Sequence, residues 1–461
     1  MDIRGEVETA DFGDRRLTRR FVRLAERLAK APDQSFPKAA GSDAALEATY
    51  RFLGNDAVTP AAILQPHVAA TASRCAEAAA VFVAHDSTEF HFSTDRDGIG
   101  RVAGDTTHGF VGHFALAVAA KSRAPLGILG FEPMFRARGP RRDHHSERRP
   151  LEERESRRWL ELVQRVDADV DDATAIVHVM DREADAYELL AALVAKGHRF
   201  IVRLKFDRAV DTTIGRGRIS DVMKRKRTLL TREVNLSARP PRQGDPPNRA
   251  RKHPYRRSRT ATLSISAASV TIRRPPHVAR DVADALSLNV VRVREKNVGR
   301  GIEPVEWRLV TSEVIDSADD VAAIVDGYRA RWLIEEYFRA LKQGCAYEKR
   351  QLESKHALLN ALAVFTPIAW QLLALRQLSR DDAQLPADRI LSPLKLTLLQ
   401  RHPDVRLRKE PTIRDAMLAI AALGGHIKNN GDPGWQVLGR GYEDLLLLER
   451  GAALALGSDQ S

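Results

Sequence analysis

The chain has 461 residues with 43% hydrophobic content, enough for about two to four domains with substantial cores. Its 73 basic and 61 acidic residues give a net charge of +12, which suits a polyanionic partner, although a ribosome-associated or membrane-surface protein would share that balance. The two cysteines, Cys75 and Cys345, argue against a disulfide framework, and the start MDIRGEVETADFG has no apolar signal region, so we expect a cytoplasmic protein that is not exported.

Residues 14–30 have the period of an amphipathic helix. Apolar side chains recur on one face, at Leu17, Phe21, Leu24 and Leu28. Arginines occupy much of the remaining surface, at Arg15, Arg16, Arg19, Arg20 and Arg23. We predict a helical DNA-contacting module that continues to about residue 70. The alternative is a surface helix whose arginines only keep it soluble.

Two aspartates follow apolar runs that are typical of buried strands. The run 80–84 leads to Asp86 at its end, and the run 176–180 leads to Asp181, after which the apolar period becomes helical. A carboxylate at the end of a strand lies at an accessible edge of the sheet, where ligands commonly bind. Asp181 could equally be the N-cap of the following helix, and Asp86 could be a turn residue.

A long β-rich stretch separates Asp181 from the next candidate residues. Alternating apolar and polar residues predict strands in 231–238, 260–272, 286–295 and 305–313. The segment 239–259, rich in Pro and Arg, interrupts them with a composition typical of disorder. We predict a β-rich insertion at about residues 206–310 inside a catalytic domain. Trp307 lies on its last strand, and a core tryptophan is one interpretation of it.

The segment 328–342, YRARWLIEEYFRALK, predicts one helix with a polar row. At about 100° per residue, four side chains fall within an arc of about 60°, namely Tyr328, Arg331, Glu335 and Lys342. Cations beside a carboxylate suit a phosphate backbone with a metal ion at one phosphate. The alternative is the solvated face of an amphipathic helix.

Asp86, Asp181 and Glu335 together would form an all-oxygen ligand set. Such ligands favour Mg²⁺ or Mn²⁺ over zinc. Two such ions activate an attacking oxygen and stabilise a leaving oxygen in phosphodiester displacement. The sequence therefore contains the residues needed to cut or join nucleic acid.

The region after Lys342 is predicted to be helical. Its uncharged run 357–375 is barely long enough to span a membrane and contains several polar residues, so we expect a buried helix that bends near Pro367. The later helices predict a bundle, which either packs on itself or forms an interface.

Three segments resemble DDE transposases of the insertion-sequence-four kind. They are DFGDRRLTRRFVRLAERLAK with ATYRFLGN near the N-terminus, MDREAD around Asp181, and YRARWLIEEYFRALK with its Tyr-x2-Arg-x3-Glu-x6-Lys spacing. The likeness extends from about Asp11 to GWQVLGRGYEDL near the C-terminus. The resemblance implies an RNase H-like core shared with retroviral integrases.

The resemblance also implies a role for each candidate residue. Asp86, Asp181 and Glu335 take the metal-binding positions and would hold two Mg²⁺ (or Mn²⁺) ions. Tyr328, Arg331 and Lys342 take the DNA-phosphate positions. Trp307 takes the position of a tryptophan that stacks on a base flipped out during hairpin formation. The C-terminal region is implied to mediate dimer contacts.

We therefore predict an α/β protein with an RNase H-like catalytic core and a β-rich insertion. An N-terminal helical DNA-binding domain (1–70) and a C-terminal helical, dimerising domain (376–461) would flank the catalytic domain (71–375). The predicted function is a cut-and-paste transposase that acts on double-stranded DNA, both transposon ends and target, as a homodimer in a synaptic complex and without a membrane partner. A nuclease without strand transfer and a catalytically inactive DNA-binding relative are the alternatives.

Overall fold

The computed structural model describes residues 3–102, 107–136, 154–213, 215–236, 238, 257–299, 302–381, 384–389, 391–426 and 433–458. The helices are α1 (Arg15–Lys30), α2 (Phe36–Ala40), α3 (Asp43–Leu53), α4 (Pro60–Ala76), α5 (Arg157–Asp169), α6 (Tyr187–Ala195), α7 (Ile219–Lys224), α8 (Ala318–Ala330), α9 (Trp332–Arg339), α10 (Lys355–Asp381), α11 (Pro393–Arg401), α12 (Ile413–Leu423) and α13 (Trp435–Ser458). The strands are β1 (Val81–Phe92), β2 (Arg101–Val102), β3 (Thr107–Ala119), β4 (Pro125–Met134), β5 (Ile176–Met180), β6 (Phe200–Arg203), β7 (Ala209–Thr212), β8 (Gly215–Arg218), β9 (Leu230–Leu236), β10 (Arg259–Arg273), β11 (Ala285–Glu295) and β12 (Glu306–Thr311).

The chain divides into two compact units. The first unit contains Met1–Asp143, Glu161–Ile176 and Ala330–Ser461. The second unit contains His144–Leu160 and Val177–Arg329.

The first unit is built on long antiparallel strands. β1 pairs with β3 along its whole length, and β4 and β2 also pair with β3. Aromatic side chains of these strands pack with α1, α9 and α10 in one apolar core that includes Phe21, Phe114 and Phe365. The continuous core holds β1 and α9 in fixed positions, which matters because both carry candidate residues.

Helix α10 is the long apolar helix predicted from residues 357–375. Among the described helices it is long and apolar enough to be considered as a membrane span, but 78% of its apolar window is buried inside the protein. Pro367 lies within it, and the hydroxyl of Thr366 donates to the carbonyl of Leu362. The helix is therefore a core element, in agreement with the prediction.

The second unit contains a mixed sheet. Its strands follow the order β5, β6, β12, β11, β10, β7, β8, and β9 also pairs with β10. β5 and β6 are parallel, whereas β10, β11 and β12 are antiparallel. Alternation of buried and exposed residues along β10 and β11 matches the period that predicted these strands.

The predicted α/β fold class is confirmed, with helices at both ends of the chain and a mixed sheet between them. The strands predicted for the insertion are present as β9, β10, β11 and β12. Residues 239–256 of the segment predicted to be disordered lie outside the described residues.

The prediction that a strand ends just before Asp86 is wrong. β1 continues to Phe92, so Asp86 lies in mid-strand, paired with Phe114 of β3. Polar residues interrupt the apolar pattern after Ala84, but Phe90 and Phe92 are buried again and the ladder with β3 continues to the end. Backbone hydrogen bonds to β3 thus keep β1 extended through the polar residues that follow Ala84.

The prediction of one continuous helix over 328–342 is also wrong. Arg331 separates α8 from α9, and the Ile334 N–H donates to the Arg331 carbonyl at 3.0 Å, the spacing of a tighter turn. Residues Ala340–Gly344 then form a π-helical turn, in which the Cys345 N–H donates to the Ala340 carbonyl at 2.8 Å. A uniform 100° period therefore does not apply across this segment.

Candidate active site

Asp86 is fixed on β1 by the sheet around it. Its Oδ1 accepts a hydrogen bond from the Ser87 N–H at 2.9 Å. The Ser87 hydroxyl lies 3.0 Å from Nδ1 of His113, the residue directly opposite on β3. These contacts leave Oδ2 of Asp86 for a partner on another element.

That partner is Arg331, which bridges two carboxylates of the first unit. Its Nη1 lies 2.6 Å from Oδ2 of Asp86, and its Nη2 lies 3.1 Å from Oε1 of Glu335. The Arg331 side chain is only 10% exposed. The structure thus brings Asp86 and Glu335 to a single cationic group, and their binding of a metal ion stays a prediction.

The environment of Glu335 disfavours its charge. Burial raises the pKa of the Glu335 carboxyl, and Arg331 opposes this rise. The negative charge of Asp86 raises the Glu335 pKa further. Additional positive charge near both carboxylates would relieve this cost.

Asp181 lies in the second unit, at the end of β5 as predicted. Its Oδ1 accepts from the Glu183 N–H at 2.7 Å and caps the short 3-10 turn Arg182–Ala184. Asp181 thus caps this 3-10 turn and not the following helix α6, whose N-cap residue is Ala186. One carboxylate oxygen makes that bond, and a carboxylate has further acceptor sites for a ligand.

Lys342 is held against β1. Its Nζ donates to the Glu89 carbonyl and lies 3.4 Å from Oε1 of Glu348. It also lies 5.3 Å from the centre of the Phe90 ring. The ammonium group is thus fixed on the strand that carries Asp86.

Tyr328 and Trp307 contact each other in the second unit. Their ring centres are 5.6 Å apart with the planes at 60°. Tyr328 is buried, and Trp307 is partly buried on β12. The aromatic contact supports the core interpretation of Trp307, while its remaining exposed surface is compatible with a base contact.

The five arginines predicted to contact DNA all lie exposed on α1. Phe21, Leu24 and Leu28 are buried on the opposite side, as the helical period predicted. Asp14 caps the helix and pairs with Arg16 at 3.1 Å. The surface pattern is therefore confirmed, and the DNA contact stays a prediction.

A basic cavity in the second unit was missed by the sequence reasoning. It has a volume of about 440 Å³, and its basic lining residues are Lys224, Lys226, Arg292, Arg294 and Lys296. Hydroxyl groups of β10 face the guanidinium groups of β11, because Ser264 pairs with Arg294 and Ser266 with Arg292. The alternating arginines Arg292 and Arg294 could have indicated a basic face on β11. The pairing of β11 with β10 is needed to show that these arginines lie opposite serines.

Comparison with family models identifies two matching regions. A transposase DNA-binding model matches residues 3–58, and a transposase DDE domain model matches residues 138–365. Together the matches support a DNA-binding DDE transposase, an enzyme that cleaves and joins DNA. The exposed arginines of α1 fall in the first region. Asp181 and Glu335 fall in the second, which begins after Asp86.

Transposase DDE domains use divalent metal ions. The donor chemistry of the first unit fits such an ion, because two carboxylate oxygens from separate elements already meet one positive group. Hard oxygen donors of this kind suit Mg²⁺ or Mn²⁺.

Proposed function

We propose that this protein is a metal-dependent transposase of the insertion-sequence-four kind, which binds the terminal inverted repeats of its own element, cleaves there and joins the ends to target DNA. The observation that best supports the proposal is the convergence of Asp86 and Glu335 on Arg331. The match to a transposase DDE domain supports the same assignment. We expect the protein to act in the cytoplasm, on DNA.

Asp86, Asp181 and Glu335 are proposed as the ligands of two Mg²⁺ or Mn²⁺ ions. When bound, the ions would lower the pKa of the attacking oxygen and neutralise charge that develops on the phosphate. Water would attack the phosphorus of the scissile phosphodiester, which releases a 3′ hydroxyl and leaves a 5′ phosphate. That hydroxyl would then attack a phosphodiester of the opposite strand or the target and displace the 3′ oxygen of the attacked strand. The protein needs little general-base chemistry from its own side chains for these steps.

Arg331, Lys342 and Tyr328 are proposed to contact DNA phosphates beside the scissile bond. Lys342 is well placed for this role because its ammonium is anchored on the strand that carries Asp86. Tyr328 is buried against Trp307, so its contribution would come through the hydroxyl rather than the ring face.

A hairpin intermediate and a synaptic homodimer complete the proposal. Trp307 would stack on a base flipped out of the duplex during hairpin formation. The arginines of α1 would contact the terminal repeat from a domain ending near residue 70, and residues 376–461 would supply dimer contacts. The catalytic domain between them would carry the β-rich insertion.

One experiment separates this proposal from a nuclease and from an inactive relative. Pre-cleaved transposon ends are incubated with a target plasmid, Mg²⁺ and the full-length protein. A transposase joins the ends to the plasmid, a nuclease only degrades DNA, and an inactive relative binds the ends without changing them. Binding without joining or cleavage would reject the proposed activity.

A further inference from the structure

The first unit places one guanidinium where two negative charges meet. Asp86 comes from β1 and Glu335 from α9, yet both contact Arg331. The carboxylates remain partly accessible, with side chains 17% and 30% exposed. One guanidinium therefore pairs with two carboxylates at a site that solutes can reach.

Neighbouring cations of the same segment make their hydrogen bonds and ion pairs with other residues. Arg339 pairs with Glu336, which also accepts from Arg376 at 3.0 Å. Lys342 donates to the carbonyl of Glu89. Arg331 is thus the residue of this segment whose guanidinium contacts both Asp86 and Glu335.

We propose that Arg331 is a resident counter-ion of Asp86 and Glu335, which releases them when a divalent ion binds and then turns to a DNA phosphate. The inference rests on the proposed function and deepens it. A guanidinium and a divalent ion compete for the same oxygens, since both are attracted by the same two negative charges. Arg331 therefore weakens metal binding as long as no phosphate competes for its guanidinium.

The competition couples metal binding to DNA binding. A phosphate that attracts Arg331 frees the carboxylates for the metal ion, and a metal ion that occupies the carboxylates frees Arg331 for the phosphate. Because coupling between two ligands is reciprocal, each raises the affinity for the other by the same factor. The enzyme would thereby hold metal firmly only when DNA is in place.

Mn²⁺ binding to the full-length protein, measured by electron paramagnetic resonance of free Mn²⁺, tests the inference without relying on activity. Without DNA, Arg331→Ala should bind Mn²⁺ at least about tenfold more tightly than the wild type, since a unit charge a few ångströms away is removed. Arg331→Lys, which keeps the charge but cannot bridge both carboxylates, should fall between them. The matched control Arg329→Ala, from the same segment but paired with Asp326 at 3.6 Å, should change the affinity less than about twofold.

Addition of transposon-end DNA provides the second measurement. DNA should raise the Mn²⁺ affinity of the wild type more than that of Arg331→Ala, because the variant has no counter-ion to displace. Thermal melts show whether each variant is folded. If Arg331→Ala fails to fold, the Mn²⁺ affinity of Arg331→Lys is compared with that of the wild type instead. Equal or weaker Mn²⁺ binding by the folded Arg331 variants without DNA would overturn the inference.

Asp86→Ala separates a failure of the counter-ion inference from a failure of the proposed metal ligands. If Asp86→Ala loses Mn²⁺ binding while the Arg331 variants bind like the wild type, only the counter-ion inference fails. If Asp86→Ala binds Mn²⁺ as the wild type does, the proposed metal ligands fail as well.

Discussion

Nη1 of Arg331 lies 2.6 Å from Oδ2 of Asp86, although the two residues are 245 positions apart in the sequence. The contact joins the middle of a long β-strand to the turn between two helices. It places the helix that carries Glu335 next to the strand that carries Asp86. It also makes Arg331 a partner of the carboxylates before any DNA phosphate is present.

Lys342→Ala should weaken binding of transposon-end DNA and reduce the salt dependence of binding by about one unit in the slope of log K against log salt. One phosphate contact would be lost, and each such contact releases about one counter-ion. Fluorescence anisotropy of labelled duplex over a salt series measures the slope. Lys196→Ala, an exposed lysine of the second unit, provides a matched control and should leave the slope unchanged. A slope unaltered in Lys342→Ala would mean that this lysine only stabilises the protein.

Trp307→Ala should slow hairpin formation while nicking survives. Loss of base stacking costs about 1 to 3 kcal/mol and is felt only after the first nick. Trp307→Phe should recover part of the rate. A time course of nicked, hairpin and double-strand-broken DNA measures each step, beside a thermal melt of each variant.

A purely structural Trp307 would behave differently. Its ring contacts Tyr328, and truncation of a core tryptophan costs about 3 to 5 kcal/mol of stability. Equal loss of all three DNA products, with a lowered melting temperature, would reject the stacking role.

The basic cavity of the second unit should contribute to DNA binding through phosphates. Replacing Lys226 and Lys296 together by Gln removes two of its positive charges and should lower the salt slope by about one to two units. Lys196→Gln is the control for a general loss of charge in the same unit. If the double variant and the control change the slope equally, the cavity makes no specific contact.

Glu6→Gln should destabilise the protein at neutral pH but much less in acid. Glu6 lies 2.5 Å from Nδ1 of His67 and 2.8 Å from Nη1 of Arg74, which ties the N-terminal residues to α4. Burial raises the pKa of the Glu6 carboxyl, but hydrogen bonds from His67 and Arg74 outweigh it, so that the pKa is lowered.

The sign of the pH effect follows from the lowered pKa. The ionised Glu6 stabilises the folded state above the unfolded-state pKa, near 4.5, and this contribution disappears as the pH falls through the lower folded-state value. Denaturant unfolding at pH 7 should show a loss of about 1.5 to 3 kcal/mol for Glu6→Gln, shrinking below pH 4.5. Glu8→Gln, at an exposed ion pair, should change stability by less than about 1 kcal/mol at either pH. A loss independent of pH would contradict the assignment.

Many helices and strands of this protein can be predicted from the local period of apolar residues. The contacts between the residues of the candidate site cannot be predicted in this way. The helix α1 and the strands β10 and β11 follow the expected periods because one face of each is buried in a core. The continuation of β1 past Ala84 depends on its pairing with β3, which no local pattern contains. The break between α8 and α9 at Arg331 likewise depends on a tight turn, which the period of apolar residues does not indicate.

The residues of the site illustrate the same limit. Spacing and resemblance predicted Asp86 and Glu335 as partners of one metal site, and the two do share a charged neighbour. The helical spacing predicts Arg331 beside Glu335, but it does not predict the contact of Arg331 with Asp86. The contact requires the approach of α9 to β1, which only the folded chain provides.

Asp86, Asp181 and Glu335 are proposed to hold the metal ions that support DNA cleavage and joining. The most direct test of this proposal measures cleavage and strand transfer of transposon-end DNA in Mg²⁺ by three single variants, Asp86→Ala, Asp181→Ala and Glu335→Ala, with DNA binding measured on the same samples. Glu89→Ala, at an unassigned carboxylate on the same strand as Asp86, is the control. Each of the three variants should bind the ends about as tightly as the wild type but should neither cleave nor join them, whereas the control should do both. Wild-type cleavage by any one of the three variants would show that this carboxylate is not a metal ligand.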